Sequence, residues 1–147
     1  MPLVSLTRLR LRSVRYLLPF ALQSHRISRQ AERTSGFIGG KVYGEPLRLT
    51  FWTATLWQNE AAMRGFRGSG AHEITMPRLA NWCDEASVLH WNQPGNNVPE
   101  PEIILLRMQR DGRLLSVRYP SPEHAARRIA ADNRAPAKGS PLRQKQG

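Results

Sequence analysis

The sequence predicts an α+β fold with the element order β-α-β-β-α-β, followed by a small C-terminal α/β extension. Three observations carry that prediction. Residues 3–12, LVSLTRLRLR, alternate apolar and polar, the period of a strand with one buried face. Residues 47–57, LRLTFWTATLW, are rich in β-branched and aromatic residues, which favour strands. Between and after these runs lie stretches with helical spacing and recognisable caps.

The first helix is predicted over 13–33, with Ser13 as N-cap and Pro19 forcing an early boundary or a kink. A short strand around Phe37–Tyr43 follows, bracketed by Gly36, Gly39, Gly40 and Gly44, and Glu45–Pro46 makes a turn. The strand 47–57 carries bulk at both parities: Leu47, Leu49, Phe51 and Trp57 on one, Trp52 and Leu56 on the other. Asn59 is a candidate N-cap with Glu60 in the first turn, and Met63 and Phe66 share one face of the helix that follows. Gly68 and Gly70 end it. A further helix begins at Ser69 or Thr75 and runs to about Glu85, with Pro77 in its first turn or at a kink. SVLHW, 87–91, is the last core strand.

This order is the ferredoxin-like split βαβ arrangement, whose four-stranded sheet has helices on one face only. A strand apolar on both faces is covered on both sides. A second copy of the sheet is the economical cover, so a homodimer is expected.

Residues 1–92 are thus the ferredoxin-like domain, and 92–100, NQPGNNVPE, have linker composition. Residues 93–133 are expected as a helix-strand-helix extension. PEIILLRMQRDG reads as a helix ending at Gly112, with a strand and a DG hairpin as the competing reading. LLSVRYP is a short strand. SPEHAARRIAAD is a helix with Ser121 as N-cap, Pro122 at its first position and His124 exposed. Residues 134–147 form a basic tail with little to bury and are expected to be disordered.

The 147 residues are 40% hydrophobic, enough for a real core, with 22 Lys+Arg against 11 Asp+Glu and a net charge of +11. The charge is mostly arginine and spread along the chain, which favours anionic partners. Nucleic acid is the least supported of these, because the arginines are scattered and no helix-turn-helix or aromatic RNA-binding motif appears. Cys83 is the one cysteine, so there is no intrachain disulfide and no cysteine-based metal spacing. A cytoplasmic setting is expected. The longest apolar runs fall far short of the roughly 20 residues that span a bilayer. The first 31 residues hold six arginines and no acid, a presequence-like composition, but the strict alternation through Arg8, Arg10 and Arg12 argues for a strand instead.

GFIGG, TFWTATLW, NEAAMRGFRGSGAH and ASVLHW together make residues 36–91 resemble the antibiotic-biosynthesis-monooxygenase-like family of dimeric α/β barrels, with spheroidene monooxygenase-like proteins among the look-alikes. The resemblance implies a ferredoxin-like protomer whose open sheet face pairs with a second subunit. It implies monooxygenase-like chemistry on a small or apolar ligand, with haem or no cofactor at all. Haem-degrading relatives place their iron-binding histidine about one turn beyond the position of His72; Met76 stands there, which weakens that branch.

His72, at a helix start after a glycine pair, is the candidate catalytic residue, able to transfer a proton near neutral pH. Its plainer role is a helix-start histidine bonded to backbone or solvent. Trp52 and Trp57 are candidate ligand-binding residues; five apart on one strand, they point to opposite faces, so at most one lines a given pocket. Arg8 and Arg10, with Arg12, share a strand face and would hold a ligand carboxylate if that face lines a cavity; otherwise they are solvated edge charges. His90 and Trp91 also face opposite ways. Cys83 reads as a packed thiol, no metal site is expected, and a non-catalytic ligand-binding module of the same fold is the alternative function.

Overall fold

The computed structural model describes residues 1–145. Strands β1 (Leu3–Leu11), β2 (Phe37–Glu45), β3 (Thr50–Trp57) and β4 (Cys83–Asn92) form the predicted core, with α1 (Leu17–Arg33), α2 (Glu60–Arg67) and α3 (Gly70–Trp82) between them. Beyond lie α4 (Pro101–Asp111), β5 (Arg113–Leu114), α5 (Pro122–Ala125) and β6 (Gly139–Arg143). The sheet order is β5-β4-β1-β3-β2-β6, every neighbouring pair antiparallel. The inner order β4-β1-β3-β2 is the ferredoxin-like arrangement, as the sequence predicted.

Local chemistry sets the element ends. Ser13 caps a single 3-10 turn, Val14–Tyr16, rather than α1 itself. Pro19 is the third residue of α1, where its missing N–H has no partner to lose and no kink is needed. Asn59 caps α2 through the Ala62 N–H at 2.9 Å. Gly36 turns the chain at φ 90°, with Ala62 Cβ 2.5 Å from where its own Cβ would sit. The last core helix ends three residues before the predicted Glu85: Cys83, Asp84 and Glu85 belong to β4. Tertiary pairing with β1 overrides their helical spacing.

Strand alternation divides the molecule into two faces. On one, Leu3, Leu9, Leu11, Phe51 and Trp57 pack beneath α1, α2 and α3 with Phe20, Phe37, Met63, Phe66 and Leu79. On the other, Leu6, Tyr43, Trp52 and Ala54 pack against Ile104, Leu105 and Met108 of α4 and against Ala130. The second cover that β3 required is therefore supplied by the chain's own extension, not by a second copy. The linker 92–100 is long enough to bring α4 back under the sheet, which an element-by-element reading does not show.

The extension differs from expectation elsewhere too. The helix reading of 101–111 holds over the hairpin. The strand beyond it shortens to Arg113–Leu114, and α5 is one turn. His124 is buried rather than exposed, its Nε2 2.9 Å from the Leu115 carbonyl. Residues 139–143, expected to be disordered, pair with the edge of β2, and Leu142 reaches the core; an open edge strand supplies the hydrogen bonds that composition could not reveal. Gln146 and Gly147 of that tail lie outside the described residues. Among the described residues no helix is long and apolar enough to cross a membrane.

A buried ion-pair network fastens the extension to the sheet. Arg8, 3% exposed, donates to Glu85 at 2.8 Å and to Asp132 at 3.3 Å. Ser121 donates to the other Glu85 oxygen at 2.7 Å. The Arg8 guanidinium lies 5.8 Å from the centre of the Trp52 ring, its register neighbour on β3. Arg10 holds Asp84 through two bonds of 2.9 and 2.7 Å. Burial pushes the Glu85 carboxyl up, but hydrogen bonds from Arg8 and Ser121 and the charges of Arg10 and Arg8 outweigh it and hold the group below the ordinary carboxylate range.

Two outcomes follow. Arg8→Met removes the buried hydrogen-bonded cation of Glu85, leaving it only the longer Arg10 contact at 3.4 Å, and should lower unfolding stability by about 3 kcal/mol, read from urea denaturation. Because the folded pKa of Glu85 is depressed, its contribution is present above the unfolded value and is lost as pH falls through the folded one; Glu85→Gln should flatten that part of the acid-denaturation profile. Separately, burial and the neighbouring Asp84 push the Cys83 thiol up to about 12. The folded protein should therefore resist an aromatic disulfide reagent at pH 8 and react fully once unfolded.

Candidate functional site

The helix face of the sheet does not close on α1 and α3 along its whole length. A cavity of about 620 Å³ remains between them, within the range of small-molecule sites. Its floor can be read from the strand register in three rows. The first is His90, Ser5 and Thr55, with Gly40 next in register; the second is Val88, Thr7, Thr53 and Val42; the third is Leu9, Phe51 and Gly44, with Ala86 next in register. The floor thus grades from polar to apolar along the strands. Gly40 cannot be larger: a Cβ there would meet the Ala54 carbonyl oxygen at 2.5 Å.

The helices supply the roof. Phe20, Gln23 and Ile27 come from α1, and His72, Thr75, Met76 and Leu79 from α3. Thr75, 1% exposed, donates to Gln23 Oε1 at 3.3 Å, joining the two helices above the floor. Two turns on along α1, Gln30 receives the His72 backbone N–H at 2.9 Å and donates to the Phe66 and Ser69 carbonyls at 3.0 and 2.7 Å. A single α1 side chain therefore fixes the start of α3.

His72 is held by three contacts: that backbone bond, an edge-on contact with Phe66 at 4.8 Å between ring centres, and Nδ1 at 3.3 Å from the Arg67 carbonyl. A carbonyl oxygen can only accept, so Nδ1 carries the proton in the neutral ring and Nε2 keeps its lone pair. Burial pushes the imidazole below its ordinary value and the Arg67 charge adds to this, against the opposing pull of the carbonyl bond. His72 is therefore a neutral base at pH 7. His90, on the opposite wall, is likewise lowered by burial and by the charges of Arg67 and Arg113, with Glu60 opposing.

The structure brings some predicted site residues together and separates others. His72 lines the cavity. Trp57 is fully buried against Phe37 and Phe66, its Nε1 donating to Thr55 at 2.9 Å, and does not reach the cavity. The Trp52 ring packs on the far side of the sheet beneath α4. Trp52 is among the residues that line the cavity although its ring packs under the extension, and the parity that separates the two tryptophans leaves Trp57 under α2. Arg8 and Arg10 do hold carboxylates, but those of Glu85, Asp132 and Asp84 in this same chain. Met76, in the place that haem-degrading relatives give to their ligand, lines the cavity as a half-buried side chain. Among the described residues no cluster of three or more His, Cys, Asp or Glu side chains could hold a metal ion.

Sequence reasoning undervalued His90 and missed the hydroxyl floor. The signal was present: Thr53 and Thr55 interrupt the apolar parity of β3 in its centre, and Ser5 and Thr7 do the same on β1. These polar residues, at the middle of two core strands on the face under the helices, form the floor of the cavity.

Neither a protein-family model nor a curated protein sequence matches the chain. Solved structures match at the level of fold. The chain is similar to a conserved protein from Methanosarcina mazei Go1, at 14% identity over 63% of this chain and 93% of that one, with a TM-score of 0.57. It is similar to Rv0793 from Mycobacterium tuberculosis, at 14% identity over 65% and 97%, with a TM-score of 0.56. It is also similar to a mutant of SnoaB, a cofactor-independent oxygenase from Streptomyces nogalater, at 13% identity over 67% and 98%, with a TM-score of 0.54. What this chain shares with these neighbours, at 13–14% identity, is the ferredoxin-like fold, with no finer kinship to the spheroidene monooxygenase-like branch.

Proposed function

We propose that this protein is a monooxygenase-like enzyme that holds an apolar, electron-rich small molecule between the sheet and helices α1 and α3, with His72 as the proton acceptor. One observation carries the reading: a neutral imidazole, its Nδ1 committed to the Arg67 carbonyl, stands at the wall of a cavity of about 620 Å³. A half-buried base beside an apolar chamber is an arrangement that can make a reactive carbanion or phenolate. Such an anion is the form of an organic molecule that dioxygen oxidises most readily.

The chain's own residues divide the work. Leu9, Phe20, Phe51, Val88 and Leu79 bind the apolar body and exclude water. Hydroxyls of Ser5, Thr7 and Thr53 face the same space and can donate to a substrate oxygen, orienting it. His72 Nε2 takes the proton, and the cation of Arg67 favours the anion left behind. The description of the similarly folded SnoaB as a cofactor-independent oxygenase supports this class of chemistry.

Haem is the other occupant that the donor set fits: His72 Nε2 would meet the iron, backed by the Nδ1–carbonyl bond, and Arg67 and Arg113 would meet its carboxylates. Haem bound there would supply oxygen activation. In a non-catalytic binding module the same cavity would retain ligand without consuming oxygen. A homodimer, if formed, would pair through a surface other than the sheet face that α4 covers.

On any substrate that gives oxygen uptake, His72→Ala should lower kcat/KM about a hundredfold to ten-thousandfold. The wild-type kcat/KM should be flat through pH 7 and fall only as pH drops through a value below the ordinary imidazole range, because protonated His72 cannot act as base. Unchanged turnover in His72→Ala would remove this residue from the mechanism. A Soret band that appears on haem addition and is lost in the same variant would favour haem over a cofactor-free reaction.

A further inference from the structure

The cavity is electrically one-sided. The charged side chains along it are Arg29, Arg67, Arg113, Lys145 and one acid, Glu32. Glu32 is already satisfied: its Oε2 accepts the Arg143 N–H at 2.9 Å and its Oε1 lies 3.3 Å from the Lys145 ammonium. At the other end, Arg67 and Arg113 make no side-chain hydrogen bond or ion pair among the described residues. Two guanidiniums thus stand at the mouth of an apolar chamber without counter-ions among the described residues, whereas Arg8, Arg10 and Arg12, along and just after β1, all find partners.

The fold places these two cations together with both cavity histidines. Arg67 ends α2, and its own carbonyl receives His72 Nδ1. Arg113 pairs in register with Val88 on β4, two residues from His90 on the same strand face. Arg113 and His90 are thus diagonal neighbours, within reach of a long side chain. Arg67 acts on both imidazoles and Arg113 on His90. Both guanidiniums are exposed at the cavity edge, so an entering anion need not be stripped of all its water.

We propose that the β4–β5 end of the cavity, framed by Arg67 and Arg113 beside His72 and His90, receives the anionic group of the ligand, which is therefore an apolar molecule bearing a single carboxylate or similar oxyanion. This rests on the reading of the cavity as a ligand site but not on any oxygen chemistry there. An oxyanion seated on two guanidiniums gains charge-assisted hydrogen bonds. It would also fix the apolar body along the graded floor, with the acidic position of the ligand next to His72.

The test uses two fluorescent probes of similar aromatic skeleton, anionic anilinonaphthalene sulfonate and neutral N-phenyl-naphthylamine, titrated onto the full-length protein. The sulfonate should bind at one site and more tightly than the neutral probe. Arg67→Gln and Arg113→Gln should each weaken the sulfonate about fivefold, leave the neutral probe unchanged, and be rescued in part by Arg67→Lys and Arg113→Lys. Arg110→Gln, an equal change of charge on α4 across the sheet, should move neither probe. Equal affinity for the two probes, or loss of both in the arginine variants, would overturn the assignment. So would a loss in Arg110→Gln as large as in the rim variants. Failure of both probes to bind would sink the ligand-site reading as well. Selective sulfonate binding in a protein that consumes no oxygen would sink only the oxygenase reading.

Discussion

The structure depends on where one arginine goes. Arg8 sits at the centre of β1, the central strand of the ferredoxin-like core, and its side chain is buried on the face away from α1 and α3. A charge there is costly unless it is paired and hydrogen-bonded. Glu85 from β4 and Asp132 from the extension supply the counter-charges, and Ser121 completes Glu85. Two of those three partners lie beyond the core domain. The extension is thus tied to the sheet both by apolar packing of Ile104, Leu105 and Met108 and by an electrostatic requirement of β1.

This fastening decides which side of the sheet keeps a cavity. In a four-stranded ferredoxin-like unit one face lies under the helices and the other is open. Here α4 and the segment around Ala130 pack on the open face, and the crevice beside Trp52 is about 10 Å³, about the space of one water. The helix face keeps the larger void, because Thr75 and Gln23 bridge α1 and α3 over a floor of small hydroxyl residues instead of letting large side chains meet. Gln30 then positions His72 from the neighbouring helix. Fold, cover and cavity follow from one division of the strands into two parities.

Much of this division was legible in the sequence. Period-two alternation located β1, the two-sided bulk of β3 announced that both faces are covered, and Asn59, Ser121 and Pro122 marked real helix starts. What the sequence withheld was long-range. Nothing local says that Arg8 will find Glu85 77 residues away, so a row of strand arginines reads as readily as a ligand site. Nothing local says that the extension folds back, so a second copy looked like the simplest cover. The tail strand β6 forms because β2 offers an edge, not because residues 139–143 favour a strand. The candidate site was half-visible: His72 stood out by its place after a glycine pair and lines the cavity, while His90 needed the β1–β4 register that sets it opposite Ser5.

The central claim is that the helix face of the sheet binds ligand and the α4 face is sealed. Imidazole and indole NMR signals followed during addition of N-phenyl-naphthylamine test it directly, since the two faces carry different reporters. The account predicts that the His72 and His90 ring signals shift together and saturate at one equivalent, with the Trp52 and Trp91 indoles unmoved. Shifts at Trp52 and Trp91 with both imidazoles unchanged would contradict it.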